Sequence, residues 1–432
     1  MADIAFLITS QYQIHHYAAI ARHLPQATFV IEVRGRDFDV DEAFVKAHVP
    51  SARVEFVPMR SLDYLDGKFD VIVCQTPVLP QRIFQKTLVV AQQYSLSKET
   101  YQYGVWRSLV DLNLMYGDYS VDRVDAFCHA VAVGNPLFDR WFDRDRRAPQ
   151  TTGRSERGLY LPTYGSLSTM PLVAPHLAQL DCEITVKLHH AEDPELARLL
   201  PENCVVLGAG SDPVALYEAA DFVISDMSGA AYDALYARRP LVLVSGTDSD
   251  SEDFHRLSVA DVERRLLEPL AAVWSPGRPL DDAVADARDR LQPSNRLDRF
   301  VSELFVNHGH AGEQCAAAIL ELVENGRSES FARQQIRSRV AELTVRSHEL
   351  AASNERLTRA NDRLRSRAEQ RAANAGETLW RRVRPVIAGA PRIEARGRVS
   401  FGCDSTRHST FTAALPALMR FPLTGRHSTP PT

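Results

Sequence analysis

Short apolar runs alternating with helix-period segments set the rhythm of the first three hundred residues. IAFLI (Ile4–Ile8) has the look of a buried strand, followed by the polar loop TSQYQIHH and a helix through His23. ATFVIEV (Ala27–Val33), FDVIVC (Phe69–Cys74), LVVA (Leu88–Ala91) and AVAVG (Ala130–Gly134) continue it as apolar runs without alternation, the pattern of parallel strands covered on both faces. The charged, Pro- and Gly-containing stretch RDRRAPQTTGRSERG (Arg144–Gly158) interrupts this rhythm and is the best interdomain linker in the chain. The alternation then restarts: GLYLPT, a helix through Leu180, EITVKL (Glu183–Leu188), a helix near Pro194–Leu200, CVVLG (Cys204–Gly208), the helix DPVALYEAA, FVIS, another helix, and LVLV. A helical segment, Arg296–Glu324, is expected to close the second unit. The expectation is an α/β chain with two Rossmann-like domains facing a cleft, at 1–145 and 155–326.

From about Phe331 the period changes to seven. Ile336, Leu343, Leu350, Leu357 and Leu364 form one row, and Val340, Ser347, Asn354, Asn361 and Ala368 form the adjoining one. Leu at one core position with Asn twice at the other suits a parallel two-stranded coiled coil over 331–372, and hence a homodimer. The competing account is a single solvated helix. The basic stretch LWRRVRPVI (Leu379–Ile387) opens a tail, 377–432, that fits either an anionic membrane surface or an unstructured segment. The last 30 residues have a disordered composition.

Charge sharpens this division. From Arg327 onward there are 20 arginines, no lysine and 9 acids, a net +11, against −16 for the preceding residues. An acidic body with a basic tail suggests an anionic partner for the tail. Nucleic acid is disfavoured as that partner, because the body would be repelled and no stacking aromatics accompany the arginines. No apolar run approaches a membrane span and the N-terminus lacks a basic signal region, so a cytoplasmic location is expected, with peripheral attachment to the inner face of the membrane as an option. The six cysteines show no CxxC pair; neither a zinc site nor a disulfide framework is expected, and no cofactor is called for.

In open α/β sheets ligands collect at the carboxyl ends of strands, where helix N-termini offer N–H groups to phosphate. In AADFVISDMSGAAYDALYARRPLVLV, Asp226-Met227-Ser228-Gly229 falls at such an end. Ser228 can cap the helix and also meet a phosphate oxygen, and Gly229 allows close approach to the backbone. Ser228 could equally be a cap and nothing more. Tyr160–Gly165, with Thr163, and Lys187-Leu188-His189-His190 end two further strands of the same unit, and His189 is placed to hold a diphosphate.

The ordered blocks YLPTYG, VKLHH, AADFVISDMSGAAYDALYARRPLVLV and FVNHGHAGE resemble the CDP-glycerol glycerophosphotransferase family of teichoic-acid and capsule polymer enzymes. Pro162-Thr163-Tyr164 fits its PT-aromatic strand end, and His189 its HP dipeptide, with His190 where Pro is usual. Asp221, Ile224, Asp226, Ser228, Asp233 and Pro240 fit its "DvlItDYSS…fD…kP" block, with Gly229 where the second Ser is usual. Gly309 and Ala311 fit its late "DGxAS" segment in part. The resemblance covers about 155–325 and implies a glycosyltransferase-B fold. It also implies transfer of a polyol-phosphate or sugar-phosphate from a CDP-activated donor to a hydroxyl of a polymer or lipid-linked acceptor. Thr163, His189, Asp226, Ser228, Gly229 and Asp233 would then bind the donor, Asp233 with the alternative of a capping or positioning role.

The first domain departs from this pattern. The family's "WHGtplK" segment corresponds here to Ala91-Gln92-Gln93-Tyr94-Ser95-Leu96-Ser97-Lys98, where Lys98 fits but Gln93 replaces the histidine that looks like the general base. His15 or His16 could substitute for it, which makes His16, Lys98 and His189 the candidate catalytic residues. Two other functions stay open. One is a nucleotide-sugar glycosyltransferase or a relative of the UDP-GlcNAc 2-epimerases, which share a Ser-Gly pair at this strand end. The other is a non-catalytic membrane-associated scaffold.

Overall fold

The computed structural model describes residues 2–387 except 25, 34–39, 59–61, 77–83, 144–154, 209, 227, 246–264 and 293–294; side chains are described up to 367 and at 370. Most of the expected linker, Cys403 and the chain after Ile387 therefore lie outside the described residues. The chain divides into two compact units, Met1–Asn354 and Glu355–Thr432.

The first unit holds both expected sheets. Strands β1 (Ile4–Ile8), β2 (Thr28–Val33), β3 (Arg53–Pro58), β4 (Val71–Cys74), β5 (Leu88–Gln92), β6 (Leu112–Met115) and β7 (Ala130–Ala132) pair in the order β3-β2-β1-β4-β5-β6-β7. Strands β8 (Arg157–Leu161), β9 (Glu183–Lys187), β10 (Cys204–Leu207), β11 (Phe222–Ser225), β12 (Leu241–Val244) and β13 (Ala272–Trp274) pair as β10-β9-β8-β11-β12-β13. Every pairing is parallel, so both are doubly wound sheets. In each, the strand order reverses beside the first strand, between β1 and β4 and between β8 and β11. A crevice forms at that point above the carboxyl ends.

The apolar runs became the central strands because burial on both faces admits little but aliphatic and aromatic side chains. Residues 4–8, 71–74, 222–225 and 241–244 are buried throughout. Strands β3, β6 and β13 escaped the pattern. The first is a half-exposed edge, and the second carries the buried polar Asn113, whose Nδ2 donates to the carbonyls of Arg107 and His129.

The segment expected to close the second domain divides instead. The helix Asn295–Leu304 buries Leu297, Phe300, Val301 and Leu304 in a core that joins second-domain residues to Tyr116, Leu137, Phe138 and Trp141 of the first domain. The helix Ala311–Asn325 returns to the first domain, where Cys315, Ala316, Ile319 and Leu322 join the core of β1 and the helix Tyr12–Ala21. Asp139 caps this returning helix, accepting from the N–H of Ala311 (2.9 Å) and Gly312 (2.6 Å). Gly309 and Ala311 thus serve the crossover.

The long helix Phe331–Ile387 runs past Gly376, beyond the end expected for a coiled coil. Its first turns are fastened to the first domain by buried charges. Arg337, 7% exposed, donates to Asp111 (2.9 Å) and the Val110 carbonyl (2.9 Å) and pairs with Glu329. In the second unit the described helix carries Leu357 and Leu364 exposed, as is Leu350 before the boundary. No described helix is long and apolar enough to cross a membrane.

Candidate functional site

A cavity of about 450 Å³ lies where the carboxyl ends of the two sheets meet. The first domain contributes Tyr12 and His16 from the helix after β1, and Tyr94, Ser95, Ser97 and Lys98 from the segment after β5. The second contributes Tyr164 after β8, Lys187 at the end of β9 with His189 and His190 after it, and Ser228, Gly229 and Asp233 after β11. Each belongs to a strand end or to the helix that follows, so the parallel topology alone gathers them.

The scaffold beneath the second-domain wall is Asp226, which is fully buried. Its carboxylate accepts from the Thr163 N–H at 2.9 and 3.0 Å, from the Thr169 N–H at 3.3 Å and from the Thr169 hydroxyl at 3.1 Å. Burial raises its pKa to about 6 despite those bonds. Asp226 therefore ties the end of β11 to the loop after β8 and does not line the cavity. Thr163, also fully buried, does not line it either. Its hydroxyl accepts from Lys98 Nζ at 3.1 Å, so a first-domain lysine is held against the second domain.

Lys98 adopts φ 63°, ψ 62° at the start of the helix Glu99–Gln102. The left-handed region is uncommon for a residue with a Cβ and marks a side chain aimed by the surrounding structure. Its ammonium also sits 4.6 Å from the centre of the Tyr164 ring. Lys187 lines the cavity from the opposite strand end, and burial lowers its pKa.

His189 accepts from the Ala191 N–H through Nδ1 at 3.2 Å, which leaves its proton on Nε2. Burial, then His190 and the two lysines, pushes its pKa down to about 2, so His189 is a neutral hydrogen-bond donor. Desolvation and the same lysines lower His190 to about 4. Ser228 caps the helix Gly229–Tyr236, accepting from the Ala230 N–H at 3.3 Å, and it also faces the cavity. A Cβ at Gly229 would meet Ser95 Oγ and Cβ of the first domain, so a larger residue there requires the Ser95 side chain to move. Asp233 lines the floor, with its pKa raised to about 8 by burial.

On the first-domain side Gln93 is fully buried and structural. Its Oε1 accepts from the Tyr116 N–H at 2.8 Å, and its Nε2 donates to the Ser95 carbonyl at 2.8 Å. His16 is buried, lines the cavity and has no hydrogen-bond partner at Nδ1. Burial lowers its pKa to about 3, which keeps it neutral. His15 points elsewhere: its Nε2 lies 3.3 Å from the Gly210 carbonyl, across the interdomain contact.

The cavity thus brings together His16, Lys98, His189, Ser228, Gly229 and Asp233, while Thr163 and Asp226 form its support. Sequence reasoning named Tyr164 only within the strand-end motif and missed Tyr12, Tyr94, Tyr101 and Tyr217; together these tyrosines supply much of the wall. Tyrosines beside Ser and Lys after an apolar run were the available signal. Among the described residues no His, Cys, Asp and Glu group could hold a metal ion, and chemically the site is cationic and donor-rich, suited to phosphate oxygens.

The fold and site define a two-domain, glycosyltransferase-B-like protein. Among solved structures, the wall teichoic acid polymerase TagF in a variant soaked with CDPG is similar over 76% of this chain and 90% of that chain, at 14% identity and a TM-score of 0.51. A putative UDP-N-acetylglucosamine 2-epimerase from Listeria monocytogenes (13% identity, 76% and 99% of the chains, TM-score 0.47) is also similar. So is the Neisseria meningitidis UDP-GlcNAc 2-epimerase bound to UDP-GlcNAc (11%, 74% and 100%, TM-score 0.48). No family model matches the sequence, and no curated protein does.

Proposed function

We propose that this protein is a transferase that binds a CDP-activated polyol-phosphate or sugar-phosphate at the second-domain strand ends and passes it to a hydroxyl of a cell-envelope polymer. The observation that carries this is the convergence of Lys98, Lys187, the His189 Nε2–H and Ser228 on one cavity in which Asp233 is the sole carboxylate among the described lining residues. Burial lowers the pKa of Lys187 and His189, and a bound anion would offset the cost of charging them there.

In the reaction the acceptor oxygen attacks the phosphorus that carries the polyol or sugar. The bond from that phosphorus to the bridging oxygen breaks, and CMP leaves with the electron pair. The acceptor proton passes to His16, the neutral imidazole that lines the cavity from the first domain. Lys98 and Lys187 balance the charge on the equatorial and bridging oxygens, and His189 and Ser228 donate to them. Gln93 takes no proton. The exposed Leu350, Leu357 and Leu364 suit pairing with a second copy of the long helix, and the arginine-rich tail suits an anionic membrane that carries the acceptor.

Calorimetric titration of the full chain with CMP, CDP-glycerol, UDP and UDP-GlcNAc, beside Ser228→Ala and Lys187→Ala, tests the donor. Cytidine binding weakened in both variants is expected. Preference for uridine would move the function to the sugar transferases or epimerases, and no binding would leave a scaffold.

A further inference from the structure

Four rings form a row across the cavity. Tyr12, on the first-domain helix, stacks on His190 with ring centres 4.9 Å apart and planes at 28°. His190 lies 4.1 Å from His189, and His189 stacks on Tyr164 at 4.4 Å. Lys98 then covers Tyr164, so the row begins and ends in the first domain while its three middle rings belong to the second. The cleft is therefore bridged by side chains whose faces must separate whenever the domains part.

The other contacts at this edge include the ion pair between Arg140 of the first domain and Asp212 of the second. The Gly210 carbonyl meets His15, and a Cβ at Gly210 would come within 2.7 Å of Gln11 Oε1. The Gly210 contacts define how closely the domains approach, and the partly exposed ion pair adds an attraction that water screens. Stacked rings supply attraction with a definite geometry, beyond the apolar area that they bury. His190 stands where the resembled family carries proline, which has no aromatic face to offer Tyr12.

We propose that Tyr12 and His190 are positioning residues that latch the two domains in the closed arrangement over the donor. Two-domain transferases open to admit substrate and close to exclude water, and a latch of modest strength holds closure without preventing release. The assignment rests on the cleft being the donor site only for what is enclosed; the latch itself concerns the domains.

Hydrogen–deuterium exchange on the full chain tests it, comparing Tyr12→Ala, Tyr12→Phe, His190→Pro and the double variant Tyr12→Ala/His190→Pro. Amides at 10–16 and 210–216, which face each other across the edge, are expected to exchange roughly two- to tenfold faster in each Tyr12→Ala and His190→Pro single variant, as the loss of one stacked pair implies. The double variant should match the singles, and Tyr12→Phe should match wild type, because its ring keeps the stack. Unchanged exchange in Tyr12→Ala, or a Tyr12→Phe as fast as Tyr12→Ala, would overturn the latch. Where one variant loses protection throughout the chain, the other single variant decides. CDP-glycerol titration of wild type separates the two ideas: binding with unaltered exchange sinks the latch alone, and faster exchange without binding sinks the donor alone.

Discussion

The two walls of the cleft are built on the same topology but differ in kind. The second-domain wall takes its chemistry from residues directly after β8, β9 and β11, supported by one buried carboxylate that locks two strand ends together. The first-domain wall carries its chemistry on a helix and on an irregular segment, with tyrosines, a buried neutral histidine and a lysine in a left-handed conformation. One wall is preorganised by hydrogen bonds within its own domain; the other is completed by reaching across, Lys98 to Thr163 and Tyr12 to His190. In the proposed reaction donor binding falls to the first kind of wall and acceptor activation to the second. Small residues at Gly210 and Gly229 permit the approach.

The largest expected effects test this division directly. Lys187→Ala should lower transfer by about 10²–10³-fold, in the range for loss of one preorganised charge-stabilising group. His16→Ala should lower it by about 10²–10⁴-fold, the range for a general base. Steady-state kinetics with the CDP-activated donor and binding measurements divide the two. Lys187→Ala should weaken donor binding, whereas His16→Ala should spare it. Equal weakening of binding by both would erase the distinction between the walls.

Asp226→Ala comes next. It strands the Thr163 and Thr169 N–H groups in a fully buried site, at about 1–3 kcal/mol for each unsatisfied group. A fall in unfolding free energy of that order is expected in urea titration, together with weaker donor binding as the Thr163–Tyr164 loop loosens. Full stability would show that the tie between β8 and β11 is dispensable.

The second wall was the legible one because its residues follow continuous apolar strands, and a polar break after such a run is visible in one dimension. Asp226 was found for this reason, yet its role was not. Whether a carboxylate faces a cavity or the loop of a neighbouring strand depends on where β8 lies, 60-odd residues away in sequence. The first wall hid itself because Tyr12 and Tyr94 have the appearance of ordinary core aromatics, and their shared surface exists only once the domains meet. The helix Ala311–Asn325 misled in the same way. Its apolar face, with Cys315 and Ile319, fits either domain by periodicity, and the capping contact with Asp139 decides between them.

Acid should expose the neutral histidines of both walls, together with His15 at the domain edge. His15, His16, His189 and His190 have folded pKa values of about 4, 3, 2 and 4, all below the ordinary 6.5. The unfolded chain then binds more protons than the folded one. Stability is complete above about pH 6.5 and declines as pH falls toward the folded values. Melting temperatures across pH 4–7 should fall with acidity, and His16→Gln should reduce the slope. Nucleotide diphosphate should reduce it too, if the anion raises the pKa of His189 and His190. A slope unaffected by ligand would place the anion away from the second wall.

Ser228 gives the smallest effect and the finest discrimination. Its hydroxyl caps an eight-residue helix through the Ala230 N–H and also faces the cavity, so Ser228→Ala removes two functions at once. Loss of the cap alone should cost about 1 kcal/mol of stability, read in urea. Ser228→Asp separates the roles, since aspartate caps a helix N-terminus as well as serine does but sets a negative charge against the donor phosphates. Stability should return with Ser228→Asp while donor binding falls further than in Ser228→Ala. If both variants bound the donor as wild type does, Ser228 would be a cap and nothing more, and the phosphates would rest on the two lysines and His189.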